Sequence, residues 1–204
     1  MKIQSLYYDN YYNNYQTKSL NSSFKGVMPV ETIKHCNIGM MPNGLIGKVG
    51  VKKANGENVF LNVFKNANSL SEIYCIRDNL ENVIGLIELK IKKFQNYDKL
   101  ETTQDPSHVF VETLRNFSNP NTPYYVKGLE EYKNIGTRLM QIAQRRSDEA
   151  LCNGNIELIS KNESLDFYNK LGFQNMKTFW GGNPNKMYLP PDAKEPFSKK
   201  YGGL

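Results

Sequence analysis

The fold is decided by the stretch from Tyr132 to Phe173. It begins Tyr132-Lys133-Asn134-Ile135-Gly136-Thr137-Arg138-Leu139-Met140, continues through Ile156-Glu157-Leu158-Ile159 and ends Phe167-Tyr168-Asn169-Lys170-Leu171-Gly172-Phe173. Apolar residues at helical spacing follow the first segment, which predicts a helix opened by a basic, glycine-containing turn. The second segment is a short apolar strand, and the third closes an aromatic-rich second helix that ends at Gly172.

The turn that opens the first helix is suited to a phosphate group. The first turn of a helix has backbone N–H groups without intrahelical acceptors, and the helix dipole adds partial positive charge at the same end. Lys133 and Arg138 flank this turn and are also positive. The segment therefore predicts a phosphate or pyrophosphate site. A lysine-containing turn before a helix is, however, also a common structural feature.

Length and composition favour one soluble globular domain. The chain has 204 residues, of which 39% are hydrophobic and 23% are charged, which is enough for one core and few for two. A net charge of +6 favours anionic partners in general: nucleic acid, acidic membranes or a phosphate-rich cofactor. Cys36, Cys75 and Cys152 are widely spaced and form no paired motif, so neither a disulfide framework nor a zinc knuckle is predicted.

The first residues carry no targeting signal that we can identify. Residues 1–15 lack the apolar core of a signal peptide, and no run approaches the roughly 18 apolar residues of a membrane span. We therefore expect a cytoplasmic protein without a membrane partner. Residues 1–26, rich in Tyr and Asn, are expected to form a flexible tail, or else an arm that grips a partner or a stacked base. Residues 27–204 are expected to form the single domain.

Alternating apolar and polar residues predict a sheet before the first helix. The predicted strands are Leu45–Lys53, Asn58–Lys65, Ser71–Arg77, Val83–Lys93 and His108–Asn116. The loop Phe117–Gly128, rich in Asn, Pro and Ser, is longer than a simple strand-to-helix turn and is expected to help shape a site.

The remaining elements complete a mixed sheet with helices. The first helix presents one apolar stripe and is predicted to stop at Asn153-Gly154. The stripe consists of Leu139, Ile142, Ala143, Arg146 and Ala150, and the residues predicted to face away are Gln141, Gln144, Arg145 and Asp148. A second helix is predicted over Asn162–Leu171, and a last hairpin over Met176–Trp180 and Lys186–Leu189. The fold class is thus α/β (α+β), with a mixed, mostly antiparallel central sheet flanked by helices.

The long stretch resembles the GCN5-related N-acetyltransferase (GNAT) family over about residues 71 to 189. In that family a turn of the form Arg/Gln-x-x-Gly-x-Gly/Ala wraps the CoA pyrophosphate. Here Glu131 stands at the basic position and Asn134 at the middle glycine, with Gly136 last. Asn tolerates the left-handed conformation for which glycine is used. Phe167 to Phe173 resembles the second signature, in which a tyrosine lies near the CoA sulfur and a Gly-Phe pair closes the helix on the sheet.

The resemblance implies an acyl-CoA N-acyltransferase-like fold and transfer of an acetyl group from acetyl-CoA to a primary amine. It implies that Tyr168 donates a hydrogen bond to the leaving thiolate, and that Glu112 is the general base or positions a water. His108 and Glu88 are weaker base candidates. The residues implied to bind the cofactor are Leu114, Arg115 and Asn116 beside the pantetheine, the turn Lys133, Asn134, Ile135, Gly136, Thr137 and Arg138 around the pyrophosphate, and Asn162, one place beyond the family position.

Other interpretations remain open from the sequence. Taken alone, Tyr168 is also typical of an aromatic residue that anchors a helix to the core. Glu112 is also typical of a strand carboxylate that faces solvent. The chain is alternatively a catalytically inactive protein of this fold that binds CoA or a partner, or a nucleic-acid-binding module, which we disfavour because its lysines alternate on a solvated strand face. No metal is implied, since His35 and His108 lie far apart without an acidic cluster. The acceptor amine and the oligomeric state stay open.

Overall fold

The computed structural model describes residues 44–66, 71–93, 107–176, 183–190 and 193. The predicted flexible tail at residues 1–26 lies outside these ranges, as do residues 177–180 of the predicted last hairpin. The division into a tail and one domain over residues 27–204 stays a prediction.

The described strands form one sheet. Their bounds are β1 Gly44–Lys53, β2 Asn58–Lys65, β3 Glu72–Arg77, β4 Val83–Lys92, β5 His108–Asn116, β6 Tyr132–Lys133, β7 Ile156–Ile159, β8 Gln174–Asn175 and β9 Lys186–Tyr188. Their order across the sheet is β6-β1-β2-β3-β4-β5-β7-β9-β8. Neighbouring strands are antiparallel except for β5 and β7, which run parallel. The predicted mixed, mostly antiparallel sheet is therefore confirmed.

The first helix, α1 (Ile135–Glu149), covers one face of this sheet. A Cβ atom added to Gly85 of β4 would overlap Cγ2 of Ile135 and lie 3.1 Å from Cδ1 of Leu139. The helix therefore lies closely over the one position of β4 that has no side chain. Leu139 is fully buried. Ile87 and Leu89, which lie on the same face of β4 as Gly85, are also fully buried and form the floor of the core.

The prediction that Gln141 and Gln144 face away from the core is wrong. Their exposed fractions are only 4% and 8%. Burial of Gln141 is tolerated because its Oε1 accepts a hydrogen bond of 2.8 Å from Nη1 of Arg138 on the same helix. Arg145 is exposed, as predicted. The buried surface of α1 is thus wider than its apolar stripe, because the side-chain amides have partners inside it.

The second helical segment begins as a 3-10 turn, Asn162–Ser164, and continues as α2, Leu165–Lys170. It ends before Gly172, whose φ of +93° lies in the left-handed region. The predicted extent and stop of this helix are confirmed.

Two predicted boundaries differ from the structure. The helix α1 already ends at Glu149, and the predicted stop residues Asn153 and Gly154 instead form a left-handed turn into β7. The last hairpin pairs β8 with β9, so its first strand precedes the predicted Met176 start. The helix end was misplaced because turn residues mark a change of direction rather than the last residue of an element, and the strand start differs by two positions, a common uncertainty for element boundaries.

Candidate active site

The parallel strands β5 and β7 separate partway along their length. Pairing joins Val109 to Ile156, Phe110 to Glu157 and Val111 to Leu158. Within the described residues it goes no further, although β5 continues to Asn116. We call this place, beyond Val111, the β5–β7 opening. In the chain, a loop, β6 and the helix α1 lie between these two strands, and α2 follows β7.

Three elements meet at the opening. A Cβ atom added to Gly136 of α1 would lie 3.1 Å from Cζ of Phe167 and 3.8 Å from Cδ2 of Leu114. Phe167 belongs to α2 and Leu114 to β5. The structure therefore brings together the glycine of the predicted pyrophosphate turn, the first aromatic of the second signature and a residue predicted to lie beside the pantetheine.

The turn that opens α1 has the predicted backbone conformation. Asn134 is the N-cap residue, with φ of 70° and ψ of 10°, and its side chain makes no capping hydrogen bond. The first helical hydrogen bond runs from the N–H of Arg138 to the carbonyl oxygen of Asn134, at 2.9 Å. The N–H groups of Ile135, Gly136 and Thr137 precede it and have no acceptor within the helix. Asn therefore adopts the left-handed conformation that the resemblance assigns to glycine.

The two cations of the turn differ in their surroundings. Nε of Arg138 donates a hydrogen bond of 2.6 Å to the carbonyl oxygen of Gly50 on β1, and burial lowers the pKa of this guanidinium. Arg138 thus joins α1 to the sheet. Lys133 lies on the edge strand β6, and its side chain is exposed, as is that of Glu131. Of these two cations, Lys133 is the better placed to supply positive charge in front of the turn.

Tyr168 is buried at the inner side of α2. Its ring makes edge-to-face contacts with Phe167 and Phe173, at centroid distances of 5.0 and 5.7 Å. Burial raises the pKa of the Tyr168 phenol to about 12, and the phenol of Tyr124 contributes in the same direction. Tyr168 therefore keeps its proton at physiological pH and is a hydrogen-bond donor.

Glu112 is the extra residue of a β-bulge. On β4, Glu88 pairs with Thr113 and Leu89 pairs with Val111, so Glu112 has no partner in the register. Its Oε1 lies 2.9 Å from Nζ of Lys90. Lys90 alternates with the buried Leu89, so this ion pair lies on the face of the sheet opposite α1.

Tyr124 is a site residue that sequence reasoning missed. It lies in the loop between β5 and β6, and the centroid of its ring is 5.3 Å from Cζ of Arg115 and 5.4 Å from Nζ of Lys161. The loop is held in place by Thr122, whose hydroxyl donates to the carbonyl oxygen of Asn116 at 2.7 Å. The unusual length of this loop was the available signal, but it did not identify Tyr124.

The other predicted residues lie apart from this group. Asn116 is buried, and its Oδ1 accepts hydrogen bonds from Ser118, so it shapes the loop. Asn162 is exposed, and its Oδ1 accepts a hydrogen bond of 2.9 Å from Asn185. Nε2 of His108 lies 3.5 Å from Oε2 of Glu157, at the paired end of β5 and β7. His108 is therefore at the far end of β5 from the opening.

Two further findings concern the described residues alone. No helix among them is long and apolar enough to cross a membrane. No group of three or more His, Cys, Asp or Glu side chains among them is arranged to hold a metal ion.

Comparison with known proteins gives no matching family profile and no matching curated protein. Solved structures do match. The fold is similar to that of acetyltransferases. AtaT complexed with acetyl-methionyl-tRNAfMet is 16% identical, with a TM-score of 0.45, over 62% of this chain and 75% of that one. Naa20 of Chaetomium thermophilum, in complex with a bisubstrate analogue, is 16% identical, with a TM-score of 0.43, over 61% and 68%. A GNAT-family acetyltransferase from Staphylococcus aureus is 18% identical, with a TM-score of 0.37, over 59% and 67%.

Proposed function

We propose that this chain is an N-acetyltransferase that transfers the acetyl group of acetyl-CoA to a primary amine. The observation that carries the proposal is the close approach, at the β5–β7 opening, of Gly136 in the turn that begins at the left-handed Asn134 to Phe167 of α2 and Leu114 of β5. The buried Tyr168 directly follows Phe167 in the chain. The sequence resemblance assigns the turn with Gly136 to the pyrophosphate, Leu114 to the pantetheine and Tyr168 to the thioester sulfur. We propose a cytoplasmic location as well, which suits the buried thiols of Cys75 and Cys152, since neither forms a disulfide among the described residues.

The turn would hold the pyrophosphate through backbone groups. Three N–H groups at Ile135, Gly136 and Thr137 point along the helix axis, where the dipole is positive. Lys133 would add a side-chain cation from the exposed edge strand. The pantetheine would then follow β5 past Leu114 toward Tyr168.

The reaction needs a neutral amine and a stabilised thiolate. The amine nitrogen attacks the thioester carbonyl carbon, the C–S bond breaks and its electron pair remains on sulfur. The phenol of Tyr168 has a pKa of about 12, whereas a thiol has one of about 8.5. Complete proton transfer from phenol to thiolate is therefore uphill by about 5 kcal/mol. We infer that Tyr168 stabilises the thiolate by a hydrogen bond, and that water supplies the proton.

Glu112 is the proposed acceptor of the amine proton, either directly or through a water molecule. Its side chain lies on the same face of the sheet as Lys90, which fixes one carboxylate oxygen. The other oxygen, Oε2, is outside that ion pair and would take the proton.

Thermal unfolding in the presence of acetyl-CoA, CoA and ATP tests the cofactor site. A ligand at about 100 times its Kd stabilises the folded state by about 2.7 kcal/mol. We expect a higher Tm with acetyl-CoA and CoA but not with ATP. The Gly136→Ala variant should bind both about tenfold more weakly, because the new methyl group displaces Phe167. Gly47→Ala is the matched control, since a Cβ there meets no atom within 4 Å. A Tm unchanged by acetyl-CoA and CoA would refute the proposal.

A second candidate function is a protein of this fold that binds CoA or a partner without turnover. It is favoured by one observation: Glu112 forms its ion pair on the sheet face opposite α1. This candidate predicts the same rise in Tm but no release of free CoA with any amine. A thiol-release assay over a panel of primary amines separates the two functions.

A further inference from the structure

Two cationic side chains converge on one aromatic ring at the β5–β7 opening. Cζ of Arg115 and Nζ of Lys161 lie 5.3 and 5.4 Å from the ring centroid of Tyr124. Arg115 is near the end of β5, whereas Lys161 precedes the 3-10 turn that leads into α2. The two cations therefore come from opposite sides of the opening, and each lies over the ring of the loop residue Tyr124.

The positions of these groups are fixed by the backbone around them. The carbonyl oxygen of Lys161 accepts hydrogen bonds from the hydroxyl of Ser160 at 2.8 Å and from the N–H of Ser164 at 2.9 Å. Tyr124 is half-buried and packs against the hydrophobic core. Lys161 is exposed, and it forms no ion pair with any described residue. Its charge is thus available to a ligand.

The same cluster lies beside the proposed reaction centre. Tyr168 is seven residues after Lys161, and burial together with the nearby phenol of Tyr124 raises the pKa of Tyr168. An anion beside Tyr124 would be attracted by both cations and would accept hydrogen bonds from the Arg115 guanidinium and the Tyr124 hydroxyl. Like charges held near one ring repel each other, and an anion between them relieves this repulsion.

We propose that the acceptor is an amine that carries a second, anionic group, and that Arg115 and Lys161 bind this group beside Tyr124. The inference rests on the acetyltransferase function proposed above. The amine nitrogen bonds to the acetyl carbonyl carbon, and the C–S bond breaks with its electron pair left on the CoA sulfur. The surplus proton of the amine passes to water or to Glu112, and the thiolate takes a proton from water.

Paired acceptors test this inference. Phenylalanine is compared with phenethylamine, and O-phosphoethanolamine with ethanolamine, each at an equal concentration of the neutral amine. In at least one of the two pairs, we expect kcat/KM to be about tenfold higher for the amine with the anionic group than for the amine without it. A tenfold difference is the effect expected of one charge-assisted hydrogen bond. The pair that shows the preference distinguishes a carboxylate from a phosphate. The Lys161→Gln variant should lower this ratio about tenfold, mainly through KM.

The matched control is Lys170→Gln, which removes an exposed lysine from the last turn of α2. It should leave the ratio unchanged. Equal kcat/KM within both pairs would overturn the inference, as would a Lys161→Gln variant that weakens acetyl-CoA binding and leaves the ratio intact. Those results leave the acetyltransferase function standing, whereas a failure to bind acetyl-CoA overturns both proposals.

Discussion

The Tyr168→Phe variant is expected to lose activity while keeping its fold. The substitution deletes one hydroxyl and leaves the ring contacts to Phe167 and Phe173 in place, so the free energy of unfolding should change by less than about 1 kcal/mol. The deleted hydrogen bond to a charged thiolate is worth about 2 kcal/mol. The corresponding decrease in kcat is roughly 30-fold, measured by release of free CoA with a saturating amine.

The pH dependence gives a second and stricter test of the same reasoning. Because burial raises the pKa of Tyr168 to about 12, the phenol stays protonated throughout the assay range. The activity of the unmodified protein should therefore rise with pH as the amine loses its proton, and the variant should follow a parallel curve. The matched control is Tyr188→Phe, because the Tyr188 hydroxyl donates a 3.4 Å hydrogen bond to Gln174. Unchanged kcat in Tyr168→Phe would refute the role, as would a fall in activity between about pH 8 and 10 that the variant abolishes.

Two further predictions concern stability. The carboxylate of Glu72 accepts hydrogen bonds from Nε and Nη2 of Arg146 at 2.6 and 2.8 Å; although burial opposes it, these bonds and one from Tyr74 lower the pKa of Glu72 to about 2. The contribution of this carboxylate to the free energy of unfolding is complete above pH 4.5 and is lost as the pH falls toward 2. The Glu72→Gln variant should therefore lower the free energy of unfolding, measured in urea at pH 7, by about 2 kcal/mol after allowance for partial screening. An equally large difference at pH 2 would contradict this. The Gly85→Ala variant should lower the free energy of unfolding by about 1–3 kcal/mol, because the added methyl group overlaps Ile135. The Gly47→Ala variant should not, since a Cβ atom there meets no atom within 4 Å. Equal effects of the two substitutions would contradict the close packing of α1 on β4.

Local patterns were sufficient to predict most of the elements. The bounds of β2, β5 and β7 agree with the sequence prediction. Each strand is bounded by turn residues, and its sequence either alternates between apolar and polar residues or is a short, mainly apolar run. The stop at Gly172 was predictable because a left-handed residue after a helix is most easily a glycine. These features depend on neighbours within a few positions.

The features that the sequence did not reveal depend on distant residues. The pairing of Tyr132 and Lys133 with β1 joins segments about 80 positions apart. The burial of Gln141 requires Arg138 as its donor, and Arg138 in turn requires the carbonyl oxygen of Gly50. The bulge at Glu112 follows from the register between two strands, which alternation along one strand cannot specify.

The early end of pairing between β5 and β7 has a consequence for self-association. A strand that stops pairing ordinarily offers a template on which a strand of another molecule can add. Here the stretch from Glu112 to Leu114 forms such an edge inside the sheet, between β4 and the start of α2, rather than at its border. A Cβ atom at Gly136 would lie 3.1 Å from Cζ of Phe167 and 3.8 Å from Cδ2 of Leu114, so α1 and α2 pack closely beside this stretch. We therefore expect this internal edge to be a poorer template for strand addition than an edge at the border of the sheet.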